Sequence, residues 1–394
     1  MRQFATILTV AALIAAASRV LLANVWTVDP GGGGDFTTIQ AAIDAAATGS
    51  GDTINATAGT YTESIDIHKA VSVVGLGGFG GTIIGGTANV GHGATLRGFT
   101  VGTATQGAFI NGDGAAIEDC WIESTGTGAS THTIQIYPEY GTAAKNVSIK
   151  NSTIKTNTSG KAAIYVETRG LLDGFTLEGN TLIGDYGVTQ SFGALNTVIR
   201  DNVFTGIAGS TKRAIQIKTS MDNILIENND ITGFAIGIRL DNNLADLGSG
   251  PVAITGNRIW DNAAENMQIK RAPNLQIADN EFSQSSAAPS IHIYAGYSDL
   301  DVDFINNNNI LGTLGIQNDS TTLVDATSNW WGDPTGPDGS GAACIGDIDY
   351  SNWLTEPVGQ GSQVIPEPAA AVVWLLGGVA LLCCAAVRRR RGKV

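Results

Sequence analysis

The sequence predicts an all-β protein, a parallel β-helix of roughly ten to twelve coils. Two observations carry that prediction. The first is a recurring phrase. In Ile224-Leu225-Ile226-Glu227-Asn228-Asn229-Asp230-Ile231, a short alternating run is followed by an asparagine corner and another apolar residue. Alternation over so few residues reads as a strand, and the Asn-Asn pair reads as a bend into a second strand. Aligned on its asparagine, the phrase falls at Asn180, Asn202, Asn229, Asn257, Asn280, Asn308 and Asn329. Three earlier copies put Phe99, Cys120 and Ser152 in that slot. The slots are separated by 21, 32, 28, 22, 27, 28, 23, 28 and 21 residues, an elastic period suited to one coil with loops of variable size.

The second observation is what flanks the slot. The residue before it is Gly98, Asp119, Asn151, Gly179, Asp201, Asn228, Gly256, Asp279, Asn307 or Ser328. All but the serine are types that tolerate a positive φ, as a tight bend at a fixed place on every coil requires. Three before the slot stand Leu96, Ile117, Ile149, Leu177, Ile199, Ile226, Ile254, Ile277, Ile305 and Ala326. These should stack as a core column about 4.8 Å apart. Asparagines stacked behind the bend can pass amide hydrogen bonds from coil to coil, which satisfies a buried polar column.

Two further phrases carry a resemblance. Asp35-Phe36-Thr37-Thr38-Ile39-Gln40-Ala41-Ala42-Ile43 continues to Gly59-Thr60-Tyr61-Thr62-Glu63, and the stack closes on Asn329-Trp330-Trp331-Gly332-Asp333-Pro334-Thr335-Gly336-Pro337. Together with the coils, they make the chain resemble the right-handed parallel β-helix proteins of the pectate-lyase-like superfamily over roughly residues 26 to 350. The resemblance concerns fold far more than activity. It implies a right-handed coil, and an outward sheet face of the kind that often holds glycans in similar proteins.

In chain order, residues 1–23 read as a signal peptide: Arg2 supplies a basic start, Ala5 to Ala17 an apolar centre, and Ala16, Ala17 and Ser18 small residues for cleavage, with cleavage after Ala23 as the alternative. The β-helix domain follows over 24–354. Residues 35–47 predict a short capping helix, with Asp35 or Thr38 as its cap and Ile39, Ala42, Ile43 and Ala46 on one face. Such a helix would cover the first coil's open end, where free strand edges invite aggregation. The first coil runs from Thr53 to Gly75. Gly59, Tyr61 and Glu63 match a Gly-x-Tyr-x-Glu phrase of pectin methylesterases that builds the coil and is not the chemistry. After Trp331, expected to plug the stack, the turn-rich stretch from Gly332 to Gly341 ends it.

Residues 355–365 read as a polar linker. Pro366, Glu367 and Pro368 then precede nineteen apolar residues, 369–387, and a run of arginines from Arg388 to Arg391. Nineteen helical residues span about 28 Å, enough for a bilayer, and the arginines should stay cytoplasmic. The arrangement resembles the PEP-CTERM sorting tail processed by exosortase-type enzymes in Gram-negative bacteria. It implies a membrane-anchored precursor, then a surface or extracellular-matrix protein; an ordinary single-pass anchor would not need the Pro-Glu-Pro.

Composition fits an extracellular β-rich protein, with 51 glycines, 15% charged residues and a pI near 4.6. Without the seven basic residues and one acid of the tails, the domain holds 15 basic and 35 acidic residues, net −20. That charge argues against nucleic acid as a partner. A monomer is expected, and Cys120 and Cys344 stand nine coils apart, about 43 Å, too far for a disulfide.

Candidate chemistry lies on the outward positions of the strand before each asparagine corner. One column reads Tyr137, Glu167, Thr189, Lys218, Arg239, Lys270, Tyr294, Gln317; its neighbour reads Gln135, Tyr165, Gly187, Gln216, Gly237, Gln268, His292, Gly315. In this alignment Lys218, Arg239 and Lys270 stand on consecutive coils, an unfavourable stack unless something offsets it. A polyanionic glycan along the axis would do so, with Tyr137, Tyr165, Glu167, Gln216, Gln268, His292 and Tyr294 as its further contacts. Cleavage of a polyuronate by β-elimination needs a cation at the C6 carboxylate and a base for the C5 proton; Lys270, among cations, is the candidate base. The alternative is a solvated face balanced by Asp241, Glu265 and Asp222. Asp299, Asp301 and Asp303 alternate and could bind calcium, or form an acidic loop without an ion; no other cofactor is expected.

The pectin methylesterase phrases are missing apart from Asp303-Phe304-Ile305, and of polygalacturonase signatures only Gln268-Ile269-Lys270 is present. Neither activity carries over. The resulting expectation is an exported, surface-sorted β-helix that binds extracellular acidic polysaccharide, with lyase-like cleavage as a further step. The alternative is a structural or adhesive matrix protein.

Overall fold

The computed structural model describes residues 23–103, 106–128, 131–137, 143–166, 171–190, 193–218, 221–241, 250–272, 274–295 and 302–359. Outside them lie the expected signal peptide up to residue 22, Glu167, Asp299, Asp301, the end of the expected linker, Pro366, Glu367 and Pro368, and the expected 369–387 span. Among the described residues, no helix is long and apolar enough to cross a membrane. The chain divides into units Met1–Val358 and Gly359–Val394, and the architecture below is that of the first.

Three parallel sheets wind around one apolar core in about eleven turns. Sheet 1 runs from Val25–Val28 to Val302–Asn306 and holds the strand before each slot. Sheet 2 runs from Gly59–Tyr61 to Asn309–Leu311 and holds the strand after it. Sheet 3 runs from Ile65–Ile67 through Leu314–Asn318 to Ala343–Ile345. Each strand pairs with its equivalent on the next coil, so in sheet 1 Leu96, Ile117, Ile149, Leu177, Ile199, Ile226, Ile254, Ile277 and Ile305 stand in one register. None is more than 1% exposed.

All ten residues before the slot have φ between +50° and +77°, Ser328 included. Behind the bend the asparagines form the expected ladder. Oδ1 of Asn229 accepts from both the backbone N–H of Asn202 (3.1 Å) and its Nδ2 (2.9 Å); Asn257 does the same for Asn229 at 2.9 and 2.9 Å. The pattern runs on through Asn280 and Asn308 to Asn329. Each Nδ2 also donates to the carbonyl of a core residue one coil back, as Asn257 does to Ile226 at 2.9 Å. Ser152 extends the ladder with its hydroxyl, accepting from the Cys120 N–H at 3.1 Å.

A second bend column was not foreseen. Six residues before the slot, Gly93, Gly114, Asn146, Gly174, Asn196, Asn223 and Asn274 also have positive φ. Their sequence signal is again glycine or asparagine at a fixed offset.

The helix is shorter than predicted: Ile39–Asp44 rather than 35–47. Asp35 does not cap it, because its carboxylate accepts from the Thr27 N–H at 2.8 Å and Phe36 bridges to Val28. Thr38 is the cap, and Ala45 turns extended (ψ 134°) and ends the helix. The Glu63 carboxylate accepts from Ile39 N–H (2.7 Å) and Gln40 N–H (3.0 Å), while Lys69 Nζ donates to the carbonyls of Ala45 (2.9 Å) and Thr48 (3.1 Å). Orphan groups at both ends thus meet the charge that the helix dipole favours. The Gly-x-Tyr-x-Glu phrase is structural here: Tyr61, 2% exposed, donates to the Val28 carbonyl at 3.0 Å, and Glu63 holds the helix. At the other end Trp331 is 1% exposed, but the stack does not stop there. Ala343–Ile345 adds to sheet 3, and Val324–Asp325 pairs with Ile348–Asp349.

Candidate functional site

The outer face of sheet 3 does not follow the predicted columns. Its register runs Asp66, Asn89, Phe109, Gln135, Tyr165, Thr189, Gln216, Arg239, Gln268, His292, Gln317. Thr189, Arg239 and Gln317 therefore occupy the column expected to hold Gly187, Gly237 and Gly315. Those glycines face inward. A Cβ on Gly187 would lie 2.5 Å from Phe204, one on Gly237 2.7 Å from Ile259, and one on Gly315 2.8 Å from Trp331. The inward position admits only small or well-bonded residues on neighbouring coils, such as Ala163, Ala214, Asn266 and Ser290, all 0% exposed. A two-residue slip keeps the apolar alternation intact, so the pattern alone cannot fix the register.

The cation ladder is thus a correction: Lys218, Arg239 and Lys270 do not stack on consecutive coils. Lys218 stands opposite Asp241, Arg239 stands between Gln216 and Gln268, and Lys270 lies where the register shifts between Leu240 and Asp241. The guanidinium of Arg239 bonds the carboxylate of Asp241. Asp222, expected to help balance the cations, is in sheet 1 and accepts from the Gly250 N–H at 2.6 Å.

What the coils do assemble is a carboxylate-histidine-tyrosine cluster at the C-terminal end of this face. His292 Nδ1 lies 2.8 Å from Glu265 Oε1, and Nε2 lies 2.8 Å from Asp319 Oδ2. Tyr294 donates its hydroxyl to Glu265 at 2.8 Å. Gln268 Nε2 donates to Glu265 Oε2 and to the Tyr294 oxygen, both at 3.0 Å. The rings of His292 and Tyr294 stack with centroids 3.9 Å apart, and Lys270 Nζ lies 5.4 Å from the Tyr294 centroid. Gln317 Nε2 donates to Asp319 at 2.9 Å. Sequence reasoning named His292, Tyr294 and Gln268 as contacts but gave Glu265 only a balancing role and missed Asp319. Their signal is one coil step: each acid precedes or follows His292 by 27 residues.

The electrostatics follow from that geometry. Burial pushes the Glu265 carboxyl up, but hydrogen bonds from His292, Tyr294 and Gln268 outweigh it and hold the group below its ordinary value. Burial disfavours the His292 imidazolium, yet Glu265 and Asp319 on either side raise its pKa. Tyr294 is pushed up to about 12 by burial and by Glu265. Gln317 and His292 hold Asp319 low, against slight desolvation. The arrangement therefore favours an imidazolium between two carboxylates, beside a phenol that holds its proton. Two polar atoms screened from solvent, Arg239 Nε and Gln268 Oε1, have no hydrogen-bond partner among the described residues.

The other predicted contacts are scattered. Gln216 lies 3% exposed in the main column. Tyr165 is three coil steps N-terminal to Arg239, and one ring face is covered by His132, with centroids 4.3 Å apart. Tyr137 stacks on Phe109 at 5.7 Å, at the far end of the sheet. Asp303 accepts from Gln276 Nε2 at 3.0 Å; its proposed calcium partners lie outside the described residues. Among the described residues, no group of three or more His, Cys, Asp or Glu is arranged to hold a metal.

Comparison with known proteins bears on the fold. Residues 192–329 match the family model described as the right handed beta helix region. No curated protein matches the chain. Among solved structures, the A-module of the Azotobacter vinelandii mannuronan C-5 epimerase AlgE6 is similar at TM-score 0.50 and 17% identity, over 81% of this chain and 94% of that one. The periplasmic alginate epimerase AlgG matches at TM-score 0.38 and 13% identity, over 77% of this chain and 74% of that one. An alginate lyase from Paenibacillus sp. str. FPU-7 matches at TM-score 0.38 and 15% identity, over 78% of this chain and 95% of that one. The coil, its three parallel sheets, the family-model match and the likeness to the AlgE6 module agree on a right-handed parallel β-helix.

Proposed function

We propose that this protein is exported and sorted to the cell surface, where the C-terminal end of sheet 3 binds acidic polysaccharide, a polyuronate first among candidates. The observation that carries the reading is the cluster of Lys270, Tyr294 and His292 beside Arg239: cations for carboxylates and polar groups for hydroxyls, on a domain whose net charge is strongly negative. The likeness to a mannuronan epimerase module supports the fold and suggests polymannuronate as the first polymer to test. The leader and the Pro366-Glu367-Pro368 tail support export and processing by an exosortase-type enzyme, with the 369–387 span anchoring the precursor. The Ile39–Asp44 helix serves as the cap of the first coils.

Binding is better supported than cleavage. β-Elimination needs a base for the C5 proton, and Glu265 is already occupied by donors from His292, Tyr294 and Gln268. Tyr294 keeps its proton up to about pH 12. Lys270, beside Tyr294, remains the candidate base. The matrix-protein reading draws support from Asp241, which bonds Arg239 and faces Lys218, so part of the positive charge is balanced internally.

Titrating the full-length protein with polymannuronate and a neutral glucan separates these readings. A polyuronate binder prefers the acidic polymer, weakens as salt rises because exposed charges are screened over about 8–10 Å, and loses affinity in Lys270→Ala and Arg239→Ala but not in Lys145→Ala. Equal indifference to both polymers ends the proposal in favour of the matrix protein. Cleavage would add the ultraviolet absorbance of an unsaturated uronate, abolished in Lys270→Ala.

A further inference from the structure

The opposite end of the same face holds a cavity that the charged cluster does not reach. It has a volume of about 640 Å³ and is lined chiefly by Gln40, Asp66, Asn89, Phe109, Asn111 and Tyr137. Phe109 lies seven coil steps from His292 in the register of sheet 3, about 34 Å at the strand spacing. The two places are therefore separate sites.

Their chemistry differs. Among the described residues no lysine or arginine lines the cavity; its polar groups are three amides, the hydroxyls of Ser64 and Thr87 and the Asp66 carboxylate. Several of these are held in place before any ligand arrives. Gln40 Oε1 accepts from the Asp66 N–H at 2.7 Å, and Asn89 Nδ2 donates to Asp66 Oδ1 at 2.7 Å. Beside Asn89, one coil on, the Phe109 and Tyr137 rings stack at 29° and 5.7 Å and make one broad apolar surface. Amides and a carboxylate pair with vicinal hydroxyls, and aromatic faces take the C–H faces of a sugar ring. A polyanion would meet Asp66 with no compensating cation in the lining. We propose that this cavity is a subsite for an uncharged pyranose unit of a glycan, distinct from the charged cluster.

The test uses the full-length protein and neutral hexasaccharides of glucose, mannose and galactose, titrated calorimetrically, with polymannuronate titrated in parallel. At least one neutral hexasaccharide is expected to bind, about tenfold or more weaker in Phe109→Ala and several-fold weaker in Asn89→Ala. Lys270→Ala should bind it as the unaltered protein does. Asn111→Ala, at an exposed rim position, carries the test if Phe109→Ala does not fold. Absence of binding by all three probes overturns the proposal, as does binding indifferent to these cavity variants or lost equally in Lys270→Ala. Failure of polymannuronate to bind leaves this site standing and overturns only the acidic-polymer reading.

Discussion

The asparagine corner and the outer face of sheet 3 belong to the same coils, but one repeats and the other drifts. At the corner each asparagine must receive its neighbour's backbone and side-chain N–H groups, as Asn229 does from Asn202 at 3.1 and 2.9 Å. Any slip would leave buried donors unpaired, so register and residue type are fixed together. The outer face of sheet 3 carries no such coil-to-coil requirement. Its neighbours change from Asn89 and Phe109 to Arg239 and Gln268, and the register shifts beside Asp241. The rigid corner holds the stack in place, which leaves the face free to vary its chemistry.

The largest expected effects break the rigid side of that comparison. Ile226→Ala should destabilise the protein by about 2–5 kcal/mol through the cavity left in the column, read as a lower denaturant midpoint at unchanged slope. Asn229→Ala should cost about 2–4 kcal/mol, because the Asn202 N–H and Nδ2 both lose their acceptor, and Asn229→Asp should not restore it in full. A change below 1 kcal/mol in Asn229→Ala would mean that the ladder does not hold the corner.

The face should respond to pH rather than to packing. The raised pKa of His292 contributes stability that is fully present below its ordinary 6.5 and is lost as pH rises through the folded value. The lowered pKa values of Glu265 and Asp319 contribute stability present above their ordinary 4.5 and 3.8, lost as pH falls through the folded values. Thermal melting should therefore decline on the alkaline side of 6.5, and His292→Gln should remove that decline while lowering the plateau. An identical alkaline limb in His292→Gln would place the titrating group elsewhere. Ile226→Ala should lower the curve without changing its shape on that side.

This contrast also explains what could be read from the sequence. The −3 column, the ladder and the positive-φ residue were legible because each position has one steric or hydrogen-bonding solution. The −6 bends are equally strict, with Gly93, Asn146 and Gly174 at positive φ, but no residue type as regular as the corner asparagine follows them to mark the column. The sheet 3 columns were misread because Gly187 and Gly237 looked outward in a period-two pattern, whereas contact with Phe204 and Ile259 excludes a side chain there. That contact crosses the core between sheets, which alternation within one strand does not encode. Glu265 and Asp319 were partly hidden for the same reason: their partners lie one coil away in space, across loops of different length.

The smallest expected effect sharpens the rule at its weakest copy. Ser328 holds the bend before Asn329 with φ at +57°, where the other nine coils use Gly, Asn or Asp. A Cβ in the left-handed region costs about 1–2 kcal/mol, while glycine adds up to about 1 kcal/mol of unfolded-state entropy. Ser328→Gly should therefore stabilise the last coil slightly, by about 0.5 kcal/mol, and Ser328→Asn by a similar or smaller amount. Hydrogen exchange at the Asn307 amide, which donates to the Ser328 carbonyl at 3.0 Å, reports the change locally. The same glycine placed at Thr189, on the drifting face and outside the left-handed region, should gain nothing. Destabilisation by Ser328→Gly would show that backbone strain at this corner is already relieved by its surroundings, and that the glycines and asparagines of the other coils are there for their hydrogen bonds.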